Sequence, residues 1–192
     1  MSQASPYIIY SESTPNPAVM KFVSNKMLAK ESREYLTVNE TEKLTLMRKL
    51  FIFPFVKEIF ISNNYISIKK HESVEWMDIT NQLRILIQES LNNGILIYVS
   101  NKTKKSEKKS NKKKSQLIIQ IEQILDKYIR PGIQMDGGDI ELVSCEKGVL
   151  KVFLKGACSG CPSSQMTLKN GIESLLKDKL AEKITEVVAI NH

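Results

Sequence analysis

The run Gly156-Ala157-Cys158-Ser159-Gly160-Cys161-Pro162-Ser163-Ser164 decides how the second half of this chain is read. It holds two of the three cysteines, spaced C-x-x-C. Before it, Leu150, Val152 and Leu154 alternate with Lys151, Phe153 and Lys155, which predicts a strand over Gly148 to Lys155 with one apolar face. After it, Leu168, Ile172, Leu175, Leu176 and Leu180 keep the spacing of one helical stripe. Pro162 suits the first helical position, where its missing N–H costs nothing. Two thiols therefore belong to a short loop at a helix N-terminus. There the unpaired N–H groups and the helix dipole favour negative charge and are expected to lower thiol pKa values. Gly156 and Gly160 are expected to let the loop turn tightly around whatever the sulfurs hold.

Three chemistries use such a pair: thiol–disulfide exchange, a zinc site and an iron–sulfur cluster. Zinc wants four ligands, and a cluster is held by four thiolates. One C-x-x-C supplies two. The chain has only His71 and His192 as histidines, and Cys145 reads as a small buried hydrophobe rather than a third ligand. A four-thiolate site shared by two chains, each giving Cys158 and Cys161, is the economical solution. Thioredoxin-like exchange is disfavoured, because that fold sets a proline loop facing its cysteines, later in the chain. Here Pro162 is the last proline, and the segment beyond it is too short for that fold's remaining strands.

Working outward, the second half reads as helix, strand, strand, helix, strand over residues 116–190. Leu117, Ile118, Ile121, Ile124, Leu125 and Tyr128 predict an amphipathic helix closed by Arg130-Pro131-Gly132. Asp136-Gly137-Gly138-Asp139 predicts a tight turn into a strand. Ile140 to Cys145 and Gly148 to Lys155 form a hairpin around Glu146-Lys147, and Ile184 to Ile190 is the closing strand. The cysteines are expected at one edge of this α+β domain.

Residues 101–115 carry eight lysines and one acid, Glu107. That tract accounts for the whole net charge of +7, since the remaining basic and acidic residues balance at 20 each. With nothing apolar to bury, it is expected to be an extended tether. No aromatic residue is interleaved to stack on bases, so a nucleic-acid arm is the lesser reading.

Residues 6–100 predict a second small α+β domain without cysteine. Pro6 to Ser11 and Val19 to Ser24 bracket Ser13-Thr14-Pro15-Asn16-Pro17, whose Pro-Asn-Pro core predicts a rigid turn. Leu44, Met47, Leu50 and Phe51 predict one face of a helix from Glu40 to Phe53, ended by Pro54. Val56 to Ile61 and Tyr65 to Lys69 predict a hairpin around Ser62-Asn63-Asn64. Ile79, Leu83, Leu86, Ile87 and Leu91 predict a second helix stopped near Asn93-Gly94, and Ile95 to Val99 a last strand. His71 reads as a solvated loop residue.

The chain of 192 residues thus predicts two small α/β-layered domains, 1–100 and 116–192, of α+β class, joined by a flexible Lys-rich linker at 101–115. A hydrophobic fraction of 42% and a mean hydropathy of −0.22 fit a water-soluble globular chain. No apolar run approaches the roughly 18 residues of a membrane span. Cysteine usage points to a reducing compartment, and Met1 to Pro6 shows neither signal nor transit character. The expected location is cytoplasmic.

The second half resembles the C-terminal domain of NifU-like (Nfu-type) iron–sulfur proteins. The resemblance rests on Arg130-Pro131, on Asp136 through Val143, on Val152 through Ser164, and on Thr167-Leu168-Lys169 with Gly171-Ile172-Glu173. The first half resembles the N-terminal domain of Nfu-type proteins through Thr14-Pro15-Asn16-Pro17, Lys21-Phe22, the Phe55 to Lys70 hairpin and Trp76. The resemblance implies a non-enzymatic carrier or scaffold. It implies an iron–sulfur cluster, [4Fe-4S] with [2Fe-2S] as the alternative, held between two chains by Cys158 and Cys161 of each. It also implies a homodimer when loaded, apo iron–sulfur client proteins, upstream assembly proteins, and no membrane. A dithiol oxidoreductase and a structural-zinc dimer are the alternatives that use the same C-x-x-C.

Overall fold

The computed structural model describes residues 5–98, 116–159, 162–180 and 183–190, with the backbone alone for 162–165. The chain divides into two compact units, Met1–Ser100 and Asn101–His192. The expected tether at 101–115 lies outside the described residues, as do Gly160 and Cys161.

In the N-terminal unit, β1 (Ile9–Ser13), β2 (Val19–Ser24), β3 (Arg33–Tyr35), β4 (Val56–Ser62) and β5 (Tyr65–Lys70) form one antiparallel sheet in the order β1-β2-β5-β4-β3. The short helix α1 (Leu46–Leu50) and the long helix α2 (Trp76–Asn92) complete it. Ile79, Leu83, Ile87 and Leu91 are buried at the predicted helical spacing. They join Phe22, Ile59, Ile61, Ile66 and Ile68 in one core. Each fully buried side chain of this kind contributes about 1.5–3 kcal/mol. The indole N–H of Trp76 donates to the Pro17 carbonyl at 2.9 Å, tying the first residue of α2 to the Pro-Asn-Pro turn. Two parts of the quoted resemblance, far apart in sequence, are one contact here.

Three expectations for this unit need correction. The helix expected over Glu40 to Phe53 is only Leu46–Leu50. Leu44, placed on its buried face, is 89% exposed with φ 61°. Thr45 next to it accepts the Arg48 N–H and so caps a helix that starts afresh. Residues Ile95 to Tyr98, expected to begin a last strand, form none. Instead the carbonyls of Leu96 and Ile97 accept the N–H groups of Leu46 and Met47, the first residues of α1. Strand β3 was not foreseen: its three residues are too few to show an alternation.

In the C-terminal unit, β6 (Gly138–Glu146) and β7 (Val149–Gly156) form an antiparallel hairpin, and β8 (Glu186–Ile190) joins β7 in parallel. The turn falls at Lys147-Gly148, one residue later than expected, with both φ values positive (50° and 81°). That is the primed turn that suits the twist of a hairpin. Helix α5 (Pro162–Leu180) crosses from β7 to β8. Leu150, Val152 and Leu154 are fully buried, as are Ile172 and Leu176 of α5, so the two predicted apolar faces close on each other in one core.

The first helix of this unit does not stop at Arg130-Pro131-Gly132. Helix α3 (Gln116–Ile124) runs into a π-helical turn (Leu125–Ile129), and α4 (Arg130–Met135) continues beyond it. Pro131 can neither donate an N–H to the preceding turn nor fit its ring against it. The widened turn absorbs the mismatch: the Arg130 N–H donates to the Leu125 carbonyl, five residues back.

Candidate functional site

The cysteine loop leaves β7, which is the middle strand of the sheet and not an edge. It sits at the carboxyl end of a parallel-paired strand, before the helix that crosses to the next strand, where α/β layers commonly bind ligands. Gly156 ends the strand with φ 63°, and both the backbone N–H and the hydroxyl of Ser159 donate to its carbonyl, at 3.0 and 2.9 Å. The chain is thereby turned so that Cys158 points inward, 7% exposed, into the core cluster. Helix α5 begins at Pro162, as the sequence predicts.

The floor beneath Cys158 is the start of β6. Gly138 pairs with Gly156 across the hairpin, and the Ala157 N–H donates to the Gly137 carbonyl at 3.2 Å. A Cβ at Gly138 would stand 2.7 Å from Cys158 Sγ and 2.6 Å from the Lys155 carbonyl oxygen. The two glycines of Asp136-Gly137-Gly138-Asp139 therefore have different reasons. Gly137 has φ 83° and makes the turn. Gly138 is there because the sulfur needs the space.

The electrostatics reverse one expectation. Burial pushes the Cys158 thiol up to about 12, and the carboxylates of Asp136 and Asp139 push the same way. The helix N-terminus was expected to lower it. The sequence shows the helix but not the two acids, which lie some twenty residues earlier and come near only when β6 pairs with β7. At neutral pH this metal-free thiol keeps its proton, and a metal ion binding it must displace that proton. A soft sulfur donor among glycine and alanine backbone suits iron or zinc in its chemistry.

Cys145 faces the same core, half-buried, and pairs with Leu150 near the turn of the hairpin. From Leu150 to Gly156 the strand rises roughly 20 Å, at about 3.3 Å per residue, so Cys145 lies at the far end of the sheet from Cys158. Burial raises its pKa too. Among the described residues, no three His, Cys, Asp or Glu side chains converge as a metal site. Cys161 lies outside the described residues, as does His192.

One further group was not foreseen. Asp139 is 5% exposed, and its Oδ1 accepts from the Ile140 N–H at 2.8 Å and from Arg130 Nη1 at 3.1 Å. Arg130 also donates through Nε to Asp126 at 2.9 Å. A charged residue between two glycines and a strand was the available signal, since a buried carboxylate needs a partner.

Two domain families match this chain. Residues 121–188 match the NifU-like domain, and residues 9–94 match the N-terminal domain of the scaffold protein Nfu/NifU. Together they define an iron–sulfur cluster scaffold of two domains. Named relatives sharpen that class. The protein called "NFU1 iron-sulfur cluster scaffold homolog, mitochondrial" is 32% identical over 91% of this chain in Drosophila grimshawi and 31% identical over 91% in Homo sapiens. The chain belongs to the Nfu-type iron–sulfur cluster scaffold family. It spans 59% of the Drosophila relative and 68% of the human one. Among solved structures, a NifU-like protein from Saccharomyces cerevisiae covers 52% of this chain with 18% identity and a TM-score of 0.38. The word mitochondrial describes those relatives and leaves the cytoplasmic expectation for this chain where it stood. No helix among the described residues is long and apolar enough to cross a membrane.

Proposed function

We propose that this chain is a carrier that takes an iron–sulfur cluster as cargo, [4Fe-4S] rather than [2Fe-2S], on Cys158 and Cys161 of two chains at once, and passes it to apo iron–sulfur proteins. The observation that carries this reading is the separation of Cys145 from Cys158 by the length of the hairpin. Within the C-terminal unit one chain then offers two thiolates, and a four-thiolate site needs a second copy. The reading makes the chain a carrier and not an enzyme: its own residues hold and release sulfur ligands, and the client's thiolates replace them one at a time. The residues beside Cys158, namely Gly156, Ala157 and Ser159, are small. The N-terminal unit, which contains no cysteine, is proposed to recognise clients or upstream assembly proteins.

Anaerobic reconstitution with iron and sulfide tests the proposal. The expected product is a dimer with about four iron per two chains and the broad visible absorption of a thiolate-held cluster. Replacing Cys158 or Cys161 by Ser is expected to abolish it, and replacing Cys145 by Ser to leave iron content intact. Monomers that each retain a complete cluster would refute the shared site. Zinc uptake without any iron chromophore would favour the structural-zinc reading. Reversible disulfide turnover without iron would favour the oxidoreductase.

A further inference from the structure

Asp139 is a carboxylate with almost no access to water, set one residue after the glycine on which Cys158 rests. With the residue before it packed against the sulfur, a carboxylate here opposes a second negative charge on that sulfur by Coulomb's law. Bound iron would need Cys158 as a thiolate, so an uncompensated Asp139 would work against the ligand. Compensation comes from α4: Arg130 Nη1 stands 3.1 Å from Asp139 Oδ1. Asp126, one turn back, holds the same guanidinium through Nε at 2.9 Å and so fixes its direction. The Asp126 side chain is 62% exposed and that of Asp139 is 8% exposed, so the guanidinium bridges from solvent to the buried floor of the site.

We infer that Arg130 is a positioning residue for cluster holding: through Asp139 it pins the first residues of β6 under Cys158 and cancels the charge that Asp139 sets against the sulfur. This rests on the reading of Cys158 as an iron ligand. Partners of this kind, one shell away from a metal ligand, typically change metal affinity about 10- to 100-fold when removed. The Arg130 side chain also ties α4 to the sheet through the same carboxylate, and a role confined to that tie would appear in the unfolding of the metal-free chain and would not be relieved in a variant lacking both charges.

The test uses the full-length chain, with Arg130→Gln, Asp139→Asn, the double variant Arg130→Gln/Asp139→Asn, and Arg130→Lys as the charge-conserving control. Each is reconstituted, and three quantities are followed: the rate of cluster loss to an excess of iron chelator, the midpoint potential of the cluster, and the thermal unfolding of the metal-free chain. Arg130→Gln is expected to lose its cluster about 10- to 100-fold faster than wild type, with a lowered potential. Arg130→Lys should fall between the two. Asp139→Asn, whose amide oxygen still accepts the Ile140 N–H, should raise the potential above wild type. The double variant should recover most of the lost retention, because neither charge remains. A wild-type loss rate in Arg130→Gln overturns the inference, and so does a double variant no better than Arg130→Gln alone. If Arg130→Gln does not fold, Asp139→Asn decides: a potential at or below wild type overturns the inference. A wild-type chain that takes up no cluster overturns the carrier reading itself, which separates the two failures.

Discussion

In the N-terminal unit, Lys21 is 8% exposed, lies 5.0 Å from the centre of the Tyr65 ring and meets Glu12 at 3.1 Å. Lys69 on the neighbouring strand meets Glu58 at 2.9 Å. In the C-terminal unit, Cys158 is as deeply buried, yet the two charges that act on it, Asp136 and Asp139, are both of the sign that opposes its thiolate. These two lysines of the first unit are each met by an opposite charge from a neighbouring strand. In the second unit the thiol lies beside two acids, and the opposite charge, Arg130, meets Asp139 rather than the sulfur. Strongly perturbed groups beside like charges cluster at functional sites.

The comparison breaks most completely if iron goes to the wrong unit. A fragment of residues 116–192 is expected to take up a full complement of iron on reconstitution, and one of residues 1–100 none, measured as iron per chain. Iron retained by the cysteine-free fragment would end the division of roles.

The next largest effect is on stability at alkaline pH. An unfolded Cys158 loses its proton near its ordinary value of 9, while the folded one keeps it to about 12. Between those values the folded state binds the extra proton, so stability falls as pH rises, by about 1.4 kcal/mol per pH unit. In the N-terminal unit, burial raises Tyr35 from an ordinary value of 10, so the same loss there begins only above pH 10. Denaturant unfolding of the metal-free chain between pH 9 and 10 should therefore weaken the C-terminal unit first. Cys158→Ala should keep only the smaller slope that comes from Cys145. Equal pH dependence of wild type and Cys158→Ala would show that the thiol is not held neutral.

The most local effect separates two glycines within the C-terminal unit. Gly138→Ala places a methyl 2.6 Å from the Lys155 carbonyl oxygen and 2.7 Å from Cys158 Sγ, and should cost about 1–3 kcal/mol, as overpacking does. Gly171 in α5 has nothing within 4 Å of an added Cβ, so Gly171→Ala should stabilise by up to about 1 kcal/mol. Thermal unfolding of both variants reads the contrast. A neutral Gly138→Ala would mean that the sulfur does not rest where the geometry has it.

Much of this architecture was legible because it is periodic. The alternation of Leu150, Val152 and Leu154 and the stripe of Ile172 and Leu176 became fully buried faces. Helix α2 runs from Trp76 to Asn92 along its predicted stripe. What was not legible depends on contacts made across long stretches of chain. The capping of α1 by Leu96 and Ile97 links residues some fifty positions apart, and no local pattern announces it. The same holds for the site. C-x-x-C singled out Cys158 as a candidate, but its burial and the acids beside it arise only when Gly138 pairs with Gly156. A helix-terminus argument, correct for an exposed loop, was outweighed by desolvation.

The π-helical turn at Leu125–Ile129 has a consequence for helical phase. Such a turn is equivalent to one residue inserted into an otherwise regular helix, and one residue is about 100° of rotation. Everything downstream of it, Arg130 and Ile133 included, is therefore turned about a quarter of a circle or slightly more from where an unbroken α-helix would put it. Ile133 thereby joins the same buried cluster as Ile121 and Leu125, and Arg130 reaches Asp139 while still holding Asp126. Converting that turn to regular α-helix with every residue kept would leave the sequence unchanged and would swing the guanidinium away from the floor of the site, whereas deleting one residue within the turn would leave its direction nearly as it is.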